Sequence, residues 1–259
     1  MMRGVIARVI GVGAVSAEGL GGEAIRRALV EQRTCLGPDA RFAGALVGAA
    51  SACPVDRRWP RIVSFAVEAA RQATPERPVG RGALVIATTH GGAGFCQEFH
   101  DGFTSPLLFS ASVHNAAAAV LSERFRIQGP VHTLLAGRDG TAQAIETAAG
   151  IVADGLAEWA LAGASEELNA AILAGYAAKG CHGSPAEGAA MFLLAREGRP
   201  LARCPAERVR LDGVEVARSL LGEGFAVSDG LLLAAAWSAE AAATLVGDEW
   251  LPLWGAPPA

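Results

Sequence analysis

The sequence is poor in lysine, in paired cysteines and in histidine beyond its middle, and each shortage removes a class of function. Lys179 is the single lysine. The 22 basic residues form no run and the formal net charge is -4, so nucleic acid is not expected as a partner. The five cysteines (Cys35, Cys53, Cys96, Cys181 and Cys204) are widely spaced and include no C-x-x-C pair, which leaves zinc, iron–sulfur and dithiol chemistry without their usual pattern. Reduced, mostly buried thiols are expected, Cys96 among them. The five histidines (His90, His100, His114, His132 and His182) form no H-x-x-x-H pair, and no histidine follows His182. No metal and no cofactor is expected. His132 lies inside an apolar strand and reads as a hydrogen-bonded core histidine.

Long apolar runs are also missing, although mean hydropathy is positive at +0.31. The longest uncharged stretch, Thr104 to Ser122, carries Pro106, His114, Asn115 and several serines. A bilayer span of roughly 20 residues tolerates that poorly, so no membrane span is expected. The start, MMRGVIARVIGVG, has arginines inside its apolar part and no clear cleavage site. A cytoplasmic protein is the expectation.

What the chain does hold is a layered pattern. Its 259 residues, 51% hydrophobic and 19% charged, suffice for one well-packed core. Strands are expected at Val5–Ile10, Ala83–Thr88, Val131–Leu135, Trp159–Ala162 and Met191–Ala195, with a further one near Val209–Leu211. Helices are expected at Glu23–Gln32, Pro60–Ala73, Phe109–Arg124, Thr141–Asp154 and Asp229–Leu245. Strands alternating with helices of this length indicate an α/β domain with a mainly parallel central sheet and flanking helices. GVGAVSAEGLGG reads as a glycine-rich turn. Within it, Gly11-x-Gly13-x-x-Ser16 lacks the third glycine of a dinucleotide fingerprint. His90-Gly91-Gly92 reads as a loop after a strand.

The segment GPVHTLLAGRDGTAQAI, residues 129–145, is a strand, a tight turn and an alanine-rich helix, the arrangement by which several enzyme families present a nucleophile. The turn holds Arg138 and Asp139, with no Ser or Cys. Asp139 reads as a helix N-cap, worth about 1 kcal/mol. Arg138 opposes the positive helix end and is expected to point outward.

Three segments, in order, resemble the N-terminal half of the β-ketoacyl synthases, of thiolase-like fold. They are VIARVIGVGAVSAEG, SPLLFSASVHNAAAAVLSERFRIQGP, and Glu187-Gly188-Ala189-Ala190 running into MFLLARE. The likeness covers roughly residues 3 to 197, and SVHNA looks closest to a short subgroup of ketosynthase-like N-terminal-domain proteins. The resemblance implies a ketosynthase-like domain over 1–197, an extension packing on it over 198–259, and the C-terminal half of the thiolase-like fold absent. It places the family's nucleophile at Arg138, with Gly137 and Asp139 as neighbours, and none of these can carry a thioester. The two catalytic histidines of the family are not found either. No catalytic residue is therefore expected in this chain.

The implied role is a non-catalytic, chain-length-factor-like subunit. It would form a heterodimer with an intact ketosynthase and act on acyl chains borne by acyl carrier protein, in fatty acid or polyketide synthesis, aryl polyenes among the products. Phe109, Val113, His114, Asn115 and Ala116 would lie near the subunit interface and acyl tunnel. For Phe109 and Val113 a place in the core is at least as expected. Two other roles stay open: a thioester hydrolase or acyltransferase using Asp139 or His114 as base, and a homodimeric scaffold. The apolar tail residues Leu231 to Leu233, Trp237, Trp250 and Trp254 would cover exposed surface or meet a partner.

Overall fold

The computed structural model describes residues 7–102, 105–137, 139–180, 184–196, 202–204 and 225–237. Its elements in chain order are β1 (Ala7–Ser16), β2 (Gly19–Leu20), α1 (Gly22–Val30), β3 (Gly37–Asp39), β4 (Ala45–Val47), α2 (Arg61–Ala73), β5 (Gly82–Thr88), α3 (Ala93–His100), α4 (Pro106–Ala111), α5 (Ala116–Arg124), β6 (Val131–Leu135), α6 (Gly140–Ala153), β7 (Trp159–Glu166), α7 (Ala170–Ala178), β8 (Gly188–Ala195), β9 (Ala202–Cys204) and α8 (Phe225–Trp237). The expected strand at Val209–Leu211, Trp250 and Trp254 lie outside the described residues.

The main sheet runs β2-β1-β8-β7-β5-β6, with β9 also on β1. β5 pairs in parallel with both β6 and β7, whereas β8 is antiparallel to its neighbours β7 and β1. β1, β5, β6 and β7 therefore point one way. The expectation of a mainly parallel sheet holds for strand direction; as pairing it is corrected, because β8 inserts between β1 and β7 the other way round.

Both sheet faces are apolar because helices cover both, so the central strands are near-continuous apolar runs whose successive residues enter opposite cores. Ala83, Val85 and Ala87 of β5, Ala160, Ala162 and Ala164 of β7, and Ala190, Phe192 and Leu194 of β8 face one core. That core also takes Ile25 and Leu29 of α1, Ala144, Ile145 and Ala148 of α6, and Leu231 to Leu233 of α8. Leu84, Ile86, Leu161, Met191 and Leu193 face the other, against Ile62, Phe65, Ala66 and Ala69 of α2 and Ala117 and Leu121 of α5. The small residues on the first face let helices approach closely. A Cβ at Gly230 of α8 would come within 2.8 Å of Thr141 Oγ1 and 3.0 Å of Ala190 Cβ. Leu231 to Leu233 are thus buried against the sheet; the side chain of Trp237 is not described.

Three local expectations change. Gly11 and Gly13 do not form a turn: β1 continues through them, with a register shift against β8 between Val9 and Gly11, and a Cβ at either would collide with the backbone carbonyl of Ala73 or Ala69 in α2. They are glycine so that a helix can lie directly on a strand. The expected helix Phe109–Arg124 is two helices, α4 and α5, broken at Ser112–Asn115. The break sits where Ala111 and Ser112 carbonyls and the His114 ring pack against Gly91 and Gly92. Finally, β6 is not a core strand. It is the outermost strand, Val131 and Leu135 are 40% and 63% exposed, and His132 is exposed rather than a core histidine.

Candidate functional site

Parallel strands in open α/β sheets place their ligand-binding loops beyond the carboxyl ends of the strands. Here β5, β6 and β7 deliver three segments to one place: Thr88–Gly92, Ala136–Gly137 and Glu166–Asn169. The first two are stitched together by Ala136 N–H donating to Thr88 O at 3.1 Å and Thr89 Oγ1 donating to Ala136 O at 2.9 Å. Gly91 N–H donates to Thr88 Oγ1 at 2.9 Å, which closes the β5 turn with Gly91 at φ +56°. Non-glycine residues rarely adopt that angle, and a Cβ there would also meet the His114 ring at 2.8 Å.

Glu166, at the end of β7, is buried and takes the backbone N–H groups of Thr89 and His90. Its carboxylate also lies 3.5 Å from His90 Nδ1. On the other side of that ring, Nε2 is 3.5 Å from the Tyr176 hydroxyl, with the two rings edge to face at 5.6 Å. One carboxylate thereby fixes the β5 turn and orients a half-buried imidazole.

Two further carboxylates hold this end of the sheet. Glu187 is fully buried, accepts Ala50 N–H at 3.2 Å and Leu168 N–H at 3.3 Å, and pairs with Arg41 at 3.0 Å and with Arg61. Glu167 accepts Ile62 N–H at 3.1 Å. Burial pushes its carboxyl up to about 7, against the opposing pull of its backbone hydrogen bonds. The folded protein therefore binds a proton there that the unfolded chain has lost. The stabilisation is complete below the ordinary glutamate range near 4.5 and is lost as pH rises through about 7. Glu167→Gln is expected to remove this dependence. Urea unfolding should show the variant gaining on the wild type by about 2–3 kcal/mol between pH 5 and pH 8.

The turn between β6 and α6 is open at Gly137. Nothing lies within 4 Å of where a Cβ at Gly137 would stand. Arg138 lies outside the described residues. Asp139 occupies the N-cap position of α6 yet makes no side-chain cap; its carboxylate is engaged by the Gln143 side chain instead, one turn into the helix. The capping expectation is corrected accordingly. Among the described cysteines, burial raises the Cys53 thiol to about 11, away from nucleophilic use at neutral pH. Cys96 is exposed on α3, not buried as expected.

Phe109 is 60% exposed on α4, with its ring 5.7 Å from that of Phe99, and Val113 is 39% exposed. Neither is a core residue. His114 and Asn115 are exposed, whereas Ala116, the first residue of α5, is buried in the core that α2 shares. The structure brings His114 to the β5 turn at Gly91. The sequence reading missed Glu166, Glu167 and Tyr176, and it read Glu187 only as part of a motif. The available signal was AGASEE, an apolar strand ending in adjacent acids.

Similarity to known proteins agrees with this fold. Solved structures share the fold at low identity. The ishigamide ketosynthase/chain length factor is 19% identical over 91% of each chain, with a TM-score of 0.76. AntDE:AntF, a type II PKS acyl-carrier protein in complex with its ketosynthase bound to the hexaketide, is 16% identical over 93% of each chain, with a TM-score of 0.73. A β-ketoacyl synthase from Burkholderia phymatum is 17% identical over 83% of this chain and 69% of its own, with a TM-score of 0.63. No curated protein matches the sequence. Among the described residues, no helix is long and apolar enough to cross a membrane. The family model for the β-ketoacyl synthase N-terminal domain matches residues 55–211, more than half of the chain, and with the thiolase-like sheet and the strand–turn–helix at Gly137 it places this chain in that family.

Proposed function

We propose that this chain is a non-catalytic, chain-length-factor-like subunit that pairs with an intact β-ketoacyl synthase during polyketide or fatty acid chain elongation. The observation that carries the reading is β6. It is the last strand of the main sheet, with its outer edge unpaired among the described residues and Val131 and Leu135 exposed on it. A strand edge beside apolar side chains is a template for another chain. The turn that follows has no cysteine or serine in its sequence, so the chemistry falls to the partner. Two of the similar structures are described as a ketosynthase/chain length factor and as a ketosynthase with its acyl-carrier protein, which supports the same pairing and a carrier-bound substrate. An aryl polyene product is one member of this substrate class. Residues 198–259 serve as an extension on the 1–197 domain, with α8 as the part that covers the sheet.

Co-expression with a ketosynthase from the same genome, followed by light scattering, tests the reading. A one-to-one complex is expected, with elongation of carrier-bound acyl chains only when both subunits are present. A lone monomer or homodimer that ignores the ketosynthase overturns it. Within the complex, Phe109 would form a wall of the acyl tunnel, where each further methylene buried is worth about 0.8 kcal/mol. Phe109→Ala is then expected to shift products towards longer chains by mass spectrometry; an unchanged distribution removes Phe109 from that role.

A further inference from the structure

Gly94, in the first turn of α3, lies over two buried polar groups. A Cβ there would stand 3.1 Å from Glu167 Oε1 and 3.5 Å from Asn169 Nδ2. Neither group is well served under that cover. Glu167 accepts Ile62 N–H, and the backbone N–H groups of Gly94 and Arg61 favour its charged form, but burial outweighs them. Asn169 commits Oδ1 to Ile172 N–H as the cap of α7, which leaves Nδ2 buried with no hydrogen-bond partner among the described residues. Water would satisfy both groups, and a helix must move to admit it. Three helices begin around this carboxylate, and they are held unequally. α2 buries Ile62, Val63, Phe65 and further residues along its length, and α7 buries Ile172, whereas α3 buries none of its side chains. α3 is therefore the cheapest of the three to displace. The neighbouring charges have other partners: Glu187 with Arg41 and Arg61, Glu166 with the Thr89 and His90 N–H groups and the His90 ring, and Glu68 of α2 with Arg71. On α3 itself Cys96, Glu98 and His100 are exposed to solvent, and the one titratable side chain of α7 is Tyr176.

We propose that α3 is a releasable cover governed by Glu167: it stays seated while the carboxyl is neutral, and lifts when the carboxylate is charged, while the sheet and the other helices stay folded. Lifting hydrates Glu167 and Asn169 together. It also takes Phe99 away from the Phe109 ring 5.7 Å from it, so the exposed aromatic face of α4 changes with the state of one buried acid. The seated form keeps its proton up to about 7, and the lifted form only to the ordinary range near 4.5. Seating is therefore strongest below that ordinary range, weakens as pH rises through about 7, and changes little beyond. Between pH 5 and pH 8 the opening constant is expected to rise about 70-fold. The device is built by this chain alone and does not depend on the pairing role.

Hydrogen exchange of the full chain tests this, read by mass spectrometry on peptides from α2, α3 and β5 and divided by the intrinsic exchange rates. Protection of the α3 peptide is expected to fall about 70-fold from pH 5 to pH 8 and to level off above, while lying well below that of β5 and α2 at every pH. Glu167→Gln keeps an acceptor for Ile62 N–H and carries no charge, and it is expected to hold α3 protection constant over the same range. Constant protection of α3 in the wild type overturns the proposal without recourse to any variant. Protection of α3 equal to that of β5 also overturns it, because the opening is then global. A pH dependence that survives Glu167→Gln does the same and assigns the titration to His90 or His100.

Discussion

Glu187→Ala is expected to destabilise the protein by about 3–5 kcal/mol, the range for breaking a buried ion pair from one side. Glu187 is fully buried and collects four partners from four places in the chain. Arg41 comes from the segment between β3 and β4, and Arg61 opens α2. Ala50 N–H comes from the loop before α2, and Leu168 N–H from the loop after β7. Removing the carboxylate leaves two interior N–H groups without an acceptor, at about 1–3 kcal/mol each. The arginines lose less, because their side chains are 35% and 28% exposed and can turn to water. Glu187→Gln keeps an oxygen for the amides and should fall between the wild type and the alanine variant. Urea unfolding followed by circular dichroism measures the series. An alanine variant within 1 kcal/mol of the wild type would show that the network is not a stabilising element.

The loss should also be felt at the site. Leu168 follows Glu167 and Glu166 directly, so the Glu187 carboxylate sets the loop that aims Glu166 at the β5 turn. With that anchor gone, the His90 ring loses its fixed orientation, and the tyrosine resonance of Tyr176 should broaden or split even at urea concentrations where the chain is folded.

The sequence made the sheet more legible than the site. β5 and β6 are bounded by glycine, proline and turn residues, and their expected limits differ from the observed ones by at most one residue. The same holds for the apolar spacing of α2. β1 misled because glycine marks a turn and a close helix–strand approach equally well, and only the tertiary neighbour, the Ala69 and Ala73 carbonyls, separates the two. The break between α4 and α5 contains no glycine or proline; it is imposed by Gly91 and Gly92 from a distant segment. The carboxylates were hidden for a related reason. Glu166, Glu167 and Glu187 are hydrophilic by type, and nothing local says that they are buried. Burial comes from backbone N–H donors supplied by α2 and by the β5 and β7 loops. Exposure was equally hidden at β6, where VHTLL reads as core until the sheet order puts it on the outside.

Leu135→Asp is expected to weaken association with the ketosynthase by about 100-fold while leaving the chain's own unfolding midpoint unchanged. Val131, Thr133 and Leu135 share one face of β6, and Leu134 on the opposite face packs against the core. The strand is therefore held from one side and apolar on the other. Leu135 is 63% exposed in the isolated chain, so an aspartate there costs little in the folded monomer. In a paired state the same position lies beside the partner's strand, and a desolvated carboxylate without a counter-charge is worth roughly 2–4 kcal/mol against binding, the range of a strong interface residue. Leu156→Asp is the matched control. It is 49% exposed, but it sits in the turn between α6 and β7, at the opposite end of the strands from Leu135. Sedimentation or light scattering of the two variants with the ketosynthase discriminates the interface from any apolar surface. Loss confined to Leu135→Asp assigns pairing to β6, whereas equal complex formation by both variants would move the interface elsewhere on the chain.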